Sequence, residues 1–118
     1  RYWMLAGVAQ PGHGGYRACG CGMGQALNMA ASLGAYVLAD RGTWLAFANR
    51  ADLSVLVEGD KRLFNQYGAM AVNPARHPQV KIEAAQKFVD WLSGPSGQAA
   101  IAGFRIQGQP LFFPNAPR

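Results

Sequence analysis

The chain has 118 residues, half of them hydrophobic and 14% charged, which suits one small globular domain and is too apolar for a disordered segment. The net charge of +5 would suit a polyanionic partner, but Lys61-Arg62 is the only adjacent basic pair and the other cations are scattered. No nucleic-acid surface of clustered charge and interleaved aromatics is therefore expected, and no apolar run approaches the ~20 residues of a membrane helix.

The sequence opens on Arg1 with RYWMLAGVAQPG, which reads as the tail of an element. A mature fragment, or a product lacking an N-terminal part, is expected; no signal-peptide pattern opens the sequence, which says nothing about compartment. Residues 10–24, QPGHGGYRACGCGMG, are rich in glycine and predict a loop. Cys19 and Cys21 lie two apart, a spacing poorly suited to an unstrained disulfide. A zinc site would need two further ligands, and His13 and His77 stand at no finger-like spacing. The two cysteines are expected to be small residues in a glycine-rich loop.

From Met23 the pattern becomes helical. Met23, Ala26, Leu27, Ala30 and Leu33 share one face, and Gly34 is the expected closing residue. Ala35–Ala39 (AYVLA) predicts a short strand. Asp40 is the expected N-cap of a second helix over Arg41–Asn49. Leu53–Val57 predicts a buried strand, Glu58–Asp60 a turn, and Tyr67–Val72 a further strand stopped by Asn73-Pro74. Ile82, Ala85, Val89 and Leu92 predict an amphipathic helix over Ile82–Leu92, broken at Ser93-Gly94-Pro95 because a residue before proline is pushed out of helical geometry. Ser96 is the expected N-cap of a final helix, Gln98–Gly103. The tail carries a short apolar run, Leu111–Phe113, and is expected to fray beyond it. Alternation of helices and strands predicts an α/β fold.

Chemistry-bearing patterns are few. Gly20-Cys21-Gly22-Met23-Gly24 runs straight into a helix start, where open backbone N–H groups and about half a unit of positive charge attract anions. It lacks the Lys-Ser or Lys-Thr of a P-loop and the spacing of a dinucleotide fingerprint, so taken alone it reads first as a plain turn before a helix. Arg41 and Thr43 at the second helix start could clamp an oxyanion, or Arg41 could be a surface or Asp-paired residue. No GxSxG, HExxH or helical carboxylate pair is present, so no enzyme, metal or cofactor is expected.

Five motifs stand in order: GMGQALNMA, AYVLADRGTWLA, LSVLVEGDKRLFNQYGAMAVNP, VDWLSGPSGQAAIAGF and GQPLFFP. Over roughly residues 16 to 114 this order resembles the tungstate-binding periplasmic proteins. The resemblance implies a partial type II periplasmic binding fold. Residues 1-52 would belong to the second lobe, and 53-118 would cross back into the first. It implies the solute-binding component of an ABC importer, periplasmic or membrane-anchored outside the cell, with a tungstate or molybdate oxyanion as ligand and a membrane permease as partner. Gly22, Met23 and Gly24 match the family's G-M-G, and Tyr36, Arg41 and Thr43 fall in its second motif with Asp40 and Gly42; these are the implied ligand-binding positions. Val37 and Ala39 replace the family's usual threonines, which bears on the preferred anion. The same fold serves as the effector domain of LysR-type transcription regulators, the alternative reading. With one side of a cleft present, the fragment is expected to self-associate through its open apolar faces.

Overall fold

The computed structural model describes residues 2–9, 12 and 14–116. The helical elements are α1 (Tyr2–Leu5), α2 (Met23–Leu33), α3 (Arg41–Ala46), a 3-10 turn (Lys61–Leu63), α4 (Ile82–Ser93) and α5 (Pro95–Gly103); β1 (Arg105–Ile106) and β2 (Gln109–Pro110) form the final hairpin. No helix among the described residues is long and apolar enough to cross a membrane.

α2 has the expected bounds. Its Leu27 and Ala30 are buried, while Met23 and Ala26 are half-covered and Leu33 points outward. Gly34 ends it in the left-handed conformation, φ 59°, and the Ala35 N–H reaches back to Ala30 O at 3.0 Å. That turn is the glycine-closed helix end that the sequence signals. The expected loop before α2 is present at residue 12 and from 14 to 22; Gln10, Pro11 and His13 lie outside the described residues.

α3 starts where Asp40 was expected to cap it, with the Thr43 N–H donating to Asp40 Oδ2 at 2.8 Å. It ends at Ala46 rather than Asn49. Arg50 explains the early stop. Its guanidinium donates to Phe47 O (2.9 Å) and Trp44 O (3.0 Å) and lies 4.4 Å from the Trp44 ring centroid. The open carbonyls of the last turn thus receive a cation instead of another turn of helix.

α4 presents Ile82, Ala85, Val89 and Leu92 as its half-buried face, as the spacing predicts. The following helix corrects the expected start. Gly94, not Ser96, is the N-cap, with φ −78° and ψ 172°, and Pro95 occupies the first helical turn of α5. A proline there loses nothing, because its missing N–H would have had no acceptor within the helix. α4 and α5 pack against each other. Gly97 is buried where they meet: a Cβ built on it would fall 2.7 Å from Leu92 Cα.

The three expected strands are not formed. Ala35–Ala39, Leu53–Val57 and Tyr67–Val72 are neither helical nor paired, and among the described residues the only sheet is the two-stranded antiparallel β1–β2. A strand exists through a neighbour's N–H and C=O groups, and no other described segment pairs with these three. Most of their apolar side chains stay in solvent: Leu56 and Val57 are about 70% exposed and Met70 is 87% exposed. The molecule is correspondingly open. Its radius of gyration is 18.2 Å, against about 13–14 Å for a compact domain of this length.

The hairpin was not expected. Gln107 (φ 51°) and Gly108 (φ 77°) supply two consecutive left-handed residues, the requirement of a tight two-residue turn, and they pair Arg105 with Pro110 and Ile106 with Gln109. Nor does the tail fray after Phe113. Asn115 exchanges side-chain amide hydrogen bonds with Gln66 at 2.9 and 3.2 Å, and the Ala116 N–H donates to Gln98 Oε1 at 3.1 Å. Leu111, directly after the hairpin, is buried.

Candidate functional site

The start of α2 is the most open backbone donor site among the expected residues. Gly22 is the N-cap in an extended conformation, and the first helical hydrogen bond runs from the Ala26 N–H to Gly22 O at 3.0 Å. The N–H groups of Met23, Gly24 and Gln25 precede the first acceptor the helix can offer. No side chain caps them. Gln25 instead turns its Oε1 back to accept the Gly22 N–H at 3.3 Å. A Cβ built on Gly22 or Gly24 would meet nothing within 4 Å, so a ligand has room to reach the backbone itself.

Just before this turn, Cys19 and Cys21 are joined as a disulfide, with their Cα atoms 5.1 Å apart. This corrects the expectation of two unlinked small residues. The Cα separation lies within the range that disulfides span, and Gly20 between them takes φ 59°, a turn most other residues would resist.

α2 packs on α3, and Asn49 Nδ2 ties the segment after α3 to Asn28 Oδ1 on α2 at 3.0 Å. The two expected helix starts therefore belong to one packed unit. Tyr36 lies on the connection between them with its ring 91% exposed. Thr43 is half-buried, with its backbone N–H engaged by Asp40.

Arg41 already has acceptors within the chain. Its Nε donates to Pro110 O (3.0 Å), Nη1 to Glu58 Oε2 (3.1 Å) and Nη2 to Gln109 Oε1 (3.1 Å). Sequence reasoning missed these acceptors. No local signal marks them, because they lie 17, 68 and 69 residues from Arg41.

The turn that provides Glu58 is held by a second ion pair. Asp60 accepts from the Arg62 backbone N–H at 2.8 Å and from its guanidinium at 2.6 Å. The side-chain hydrogen bond from Arg62 is the main cause that brings the Asp60 carboxyl from 3.8 to about 2. Asp60 therefore stays ionised throughout the neutral and mildly acidic range.

Two open surface concavities lie elsewhere. One, of about 340 Å³, is lined by residues 80–84; the other, of about 510 Å³, lies between the end of α3 and the β1–β2 turn. Neither is lined by any of the expected ligand positions. No group of three His, Cys, Asp or Glu residues able to hold a metal occurs among the described residues.

Residues 3–96 match a family model described as the PBP superfamily domain, and the chain belongs to that family. Its fold is part of the α/β periplasmic binding fold. It superposes on the tungstate-binding protein TupA of Desulfovibrio alaskensis G20 with a TM-score of 0.69 and 40% identity, covering 97% of this chain and 48% of that one. The curated relatives agree. A Haloferax volcanii protein, provisionally named as an ABC transporter anion-binding protein, is 42% identical over 97% of this chain and 34% of its own length. The tungstate-binding protein TupA of Peptoclostridium acidaminophilum is 39% identical over 98% of this chain and 41% of its own. The chain thus spans about a third to two-fifths of these relatives' length.

Proposed function

We propose that this chain is part of the solute-binding component of an ABC importer that captures a tungstate-like tetrahedral oxyanion and hands it on unchanged. The observation that carries this reading is 39–42% identity, across 97–98% of the chain, to proteins named for binding tungstate or an anion. The open N–H groups at the start of α2 support it, since they offer an anion what it needs without a charged side chain. Gly22, Met23 and Gly24 are the proposed backbone contacts, and Tyr36 and Thr43 the proposed hydroxyl donors. Molybdate, with the same shape and charge, is the proposed competitor. The partners of this reading are the oxyanion and a membrane permease, its place is outside the cytoplasmic membrane, and its activity is binding rather than catalysis. Residues 1-52 and 53-118 are the proposed contributions to the second and first lobes. The relatives named for anion transport favour this reading over an effector domain of a transcription regulator.

Met23→Pro tests the site. Gly22 is already extended, as a residue before proline must be, and Met23 holds the first helical position, where proline is tolerated. The substitution removes one N–H aimed off the helix start. In the complete gene product, tungstate affinity is expected to fall about tenfold, the weight of roughly one hydrogen bond to a charged group. Melting should change little. Unchanged affinity would remove α2 from the site, and no oxyanion binding by the unsubstituted protein up to millimolar concentration would remove the function.

The open apolar segments bear on assembly. Leu53–Val57 and Tyr67–Val72 expose more aliphatic and aromatic surface than monomers usually leave in water. Residues 1–118 on their own are expected to self-associate at tens of micromolar. Sedimentation velocity showing a single monomeric species there would overturn this.

A further inference from the structure

Arg41 is the one charged residue among the expected ligands, and each of its guanidinium nitrogens meets an acceptor within the chain. All three guanidinium nitrogens donate to protein acceptors between 3.0 and 3.1 Å away, and the group lies 5.9 Å from the Phe113 ring centroid. An arginine that clamps an oxyanion presents two parallel N–H groups to it; here that fork is divided between Glu58 and Gln109. The acceptors all come from residues 53–118, whereas Arg41 opens α3 on the other side of the proposed lobe boundary. A second contact crosses at the same place without the arginine. A Cβ built on Gly42 would fall 3.3 Å from Phe112 Cζ, so the tail lies directly on the first turn of α3, and Phe112 in turn meets Tyr67 edge-to-face at 5.3 Å.

We propose that Arg41 is a positioning residue: a tether that fixes the first turn of α3, and the anion-facing segment 1–52 with it, against the Glu58 turn and the β1–β2 hairpin. Its consequence for binding rests on the oxyanion reading above. Arginine suits the task because its planar fork serves several acceptors in fixed directions, which a lysine ammonium does not. Without the tether the two sides of the boundary take up more relative orientations. The bound arrangement then holds its ligand less firmly. Loss of that order is expressed mainly in how fast the anion leaves, because mutations within one binding site change dissociation more than association.

The test is a cycle of Arg41→Met, Glu58→Gln and the double variant in the complete gene product, with Arg41→Lys as a variant that keeps the charge. Tungstate is the probe, followed by stopped flow and calorimetry. Arg41→Met and Arg41→Lys should each speed dissociation about tenfold, Glu58→Gln several-fold, and the double variant no more than Arg41→Met, since partners in one contact do not add. Association should stay within about twofold. A direct ligand behaves in the opposite way. Releasing Arg41 by Glu58→Gln would then leave affinity equal or raise it, and Arg41→Met would abolish binding; that outcome overturns the tether. The same cycle read by thermal unfolding needs no ligand: non-additive melting shifts for Arg41 and Glu58 support the tether, and additive shifts overturn it. A failure of tungstate binding by the unsubstituted protein therefore strikes the oxyanion reading and leaves the contact itself under test.

Discussion

Residues 1–118 on their own are expected to bind tungstate at least about a thousandfold more weakly than the complete gene product, with calorimetry of both as the measurement. Several of the groups proposed here to meet the anion are open to solvent. Tyr36 is 91% exposed, open space surrounds Gly22 and Gly24, and neither of the two concavities described above is lined by them. A tightly held oxyanion needs donors on several sides. Each hydrogen bond to a charged group contributes roughly 1.5–3 kcal/mol, so the lack of about three would cost roughly 4–9 kcal/mol if they add, at about 1.4 kcal/mol per decade of affinity. Screening by salt weakens whatever a lone exposed helix start retains. An affinity within tenfold of the complete product would mean that this chain already holds the main contacts.

What the sequence discloses about the fold divides by range. α2 is legible because its evidence is local: apolar residues at helical spacing and a glycine one residue past the end. α4 follows from four apolar positions on one face. The Asp40 cap of α3 is three residues from the N–H that it serves. The end of α3 is less legible, because Arg50 folding back on Trp44 is a side-chain event that no periodicity reports. The start of α5 was misplaced by giving Ser96 a capping role when Pro95 is itself suited to the first helical turn. The strands Leu53–Val57 and Tyr67–Val72 carry the right composition, but pairing is a relation between segments, and among the described residues none pairs with them.

The site divides in the same way. Gly22, Met23 and Gly24 could be placed at a helix start from the glycine-rich loop and the apolar spacing that begins at Met23, and the structure puts open N–H groups there. Arg41 could be placed at a helix start too. Its acceptors could not, because Glu58, Gln109 and Pro110 reach it only through the path of the chain after α3 and the turn at Gln107-Gly108. The Cys19–Cys21 link is a further case in which spacing argued against the observed arrangement; the left-handed turn at Gly20 supplies the geometry that a generic intervening residue would not.

Gly97→Ala is expected to destabilise the complete gene product by roughly 1–3 kcal/mol or more, the range for forcing an added methyl into a closely packed interior. Gly97 lies in the first turns of α5, where that helix crosses the end of α4. The added Cβ would come 2.7 Å from both Leu92 Cα and Leu92 O. Backbone atoms cannot swing aside as a side-chain tip can, so α5 must lift off α4. That shift would strain the bond from Gln98 Nε2 to Leu92 O, now 2.9 Å, and through Gln98 Oε1 the anchor on Ala116. Gly103→Ala in the same helix is the control, since its Cβ would meet nothing within 4 Å. There the same substitution restricts the unfolded chain without a clash, and a gain of about 0.4–1 kcal/mol is expected. Urea unfolding of both variants reads the difference as opposite shifts of the midpoint at constant slope. A Gly97→Ala protein as stable as the parent would show that α4 and α5 do not meet as closely as the structure places them.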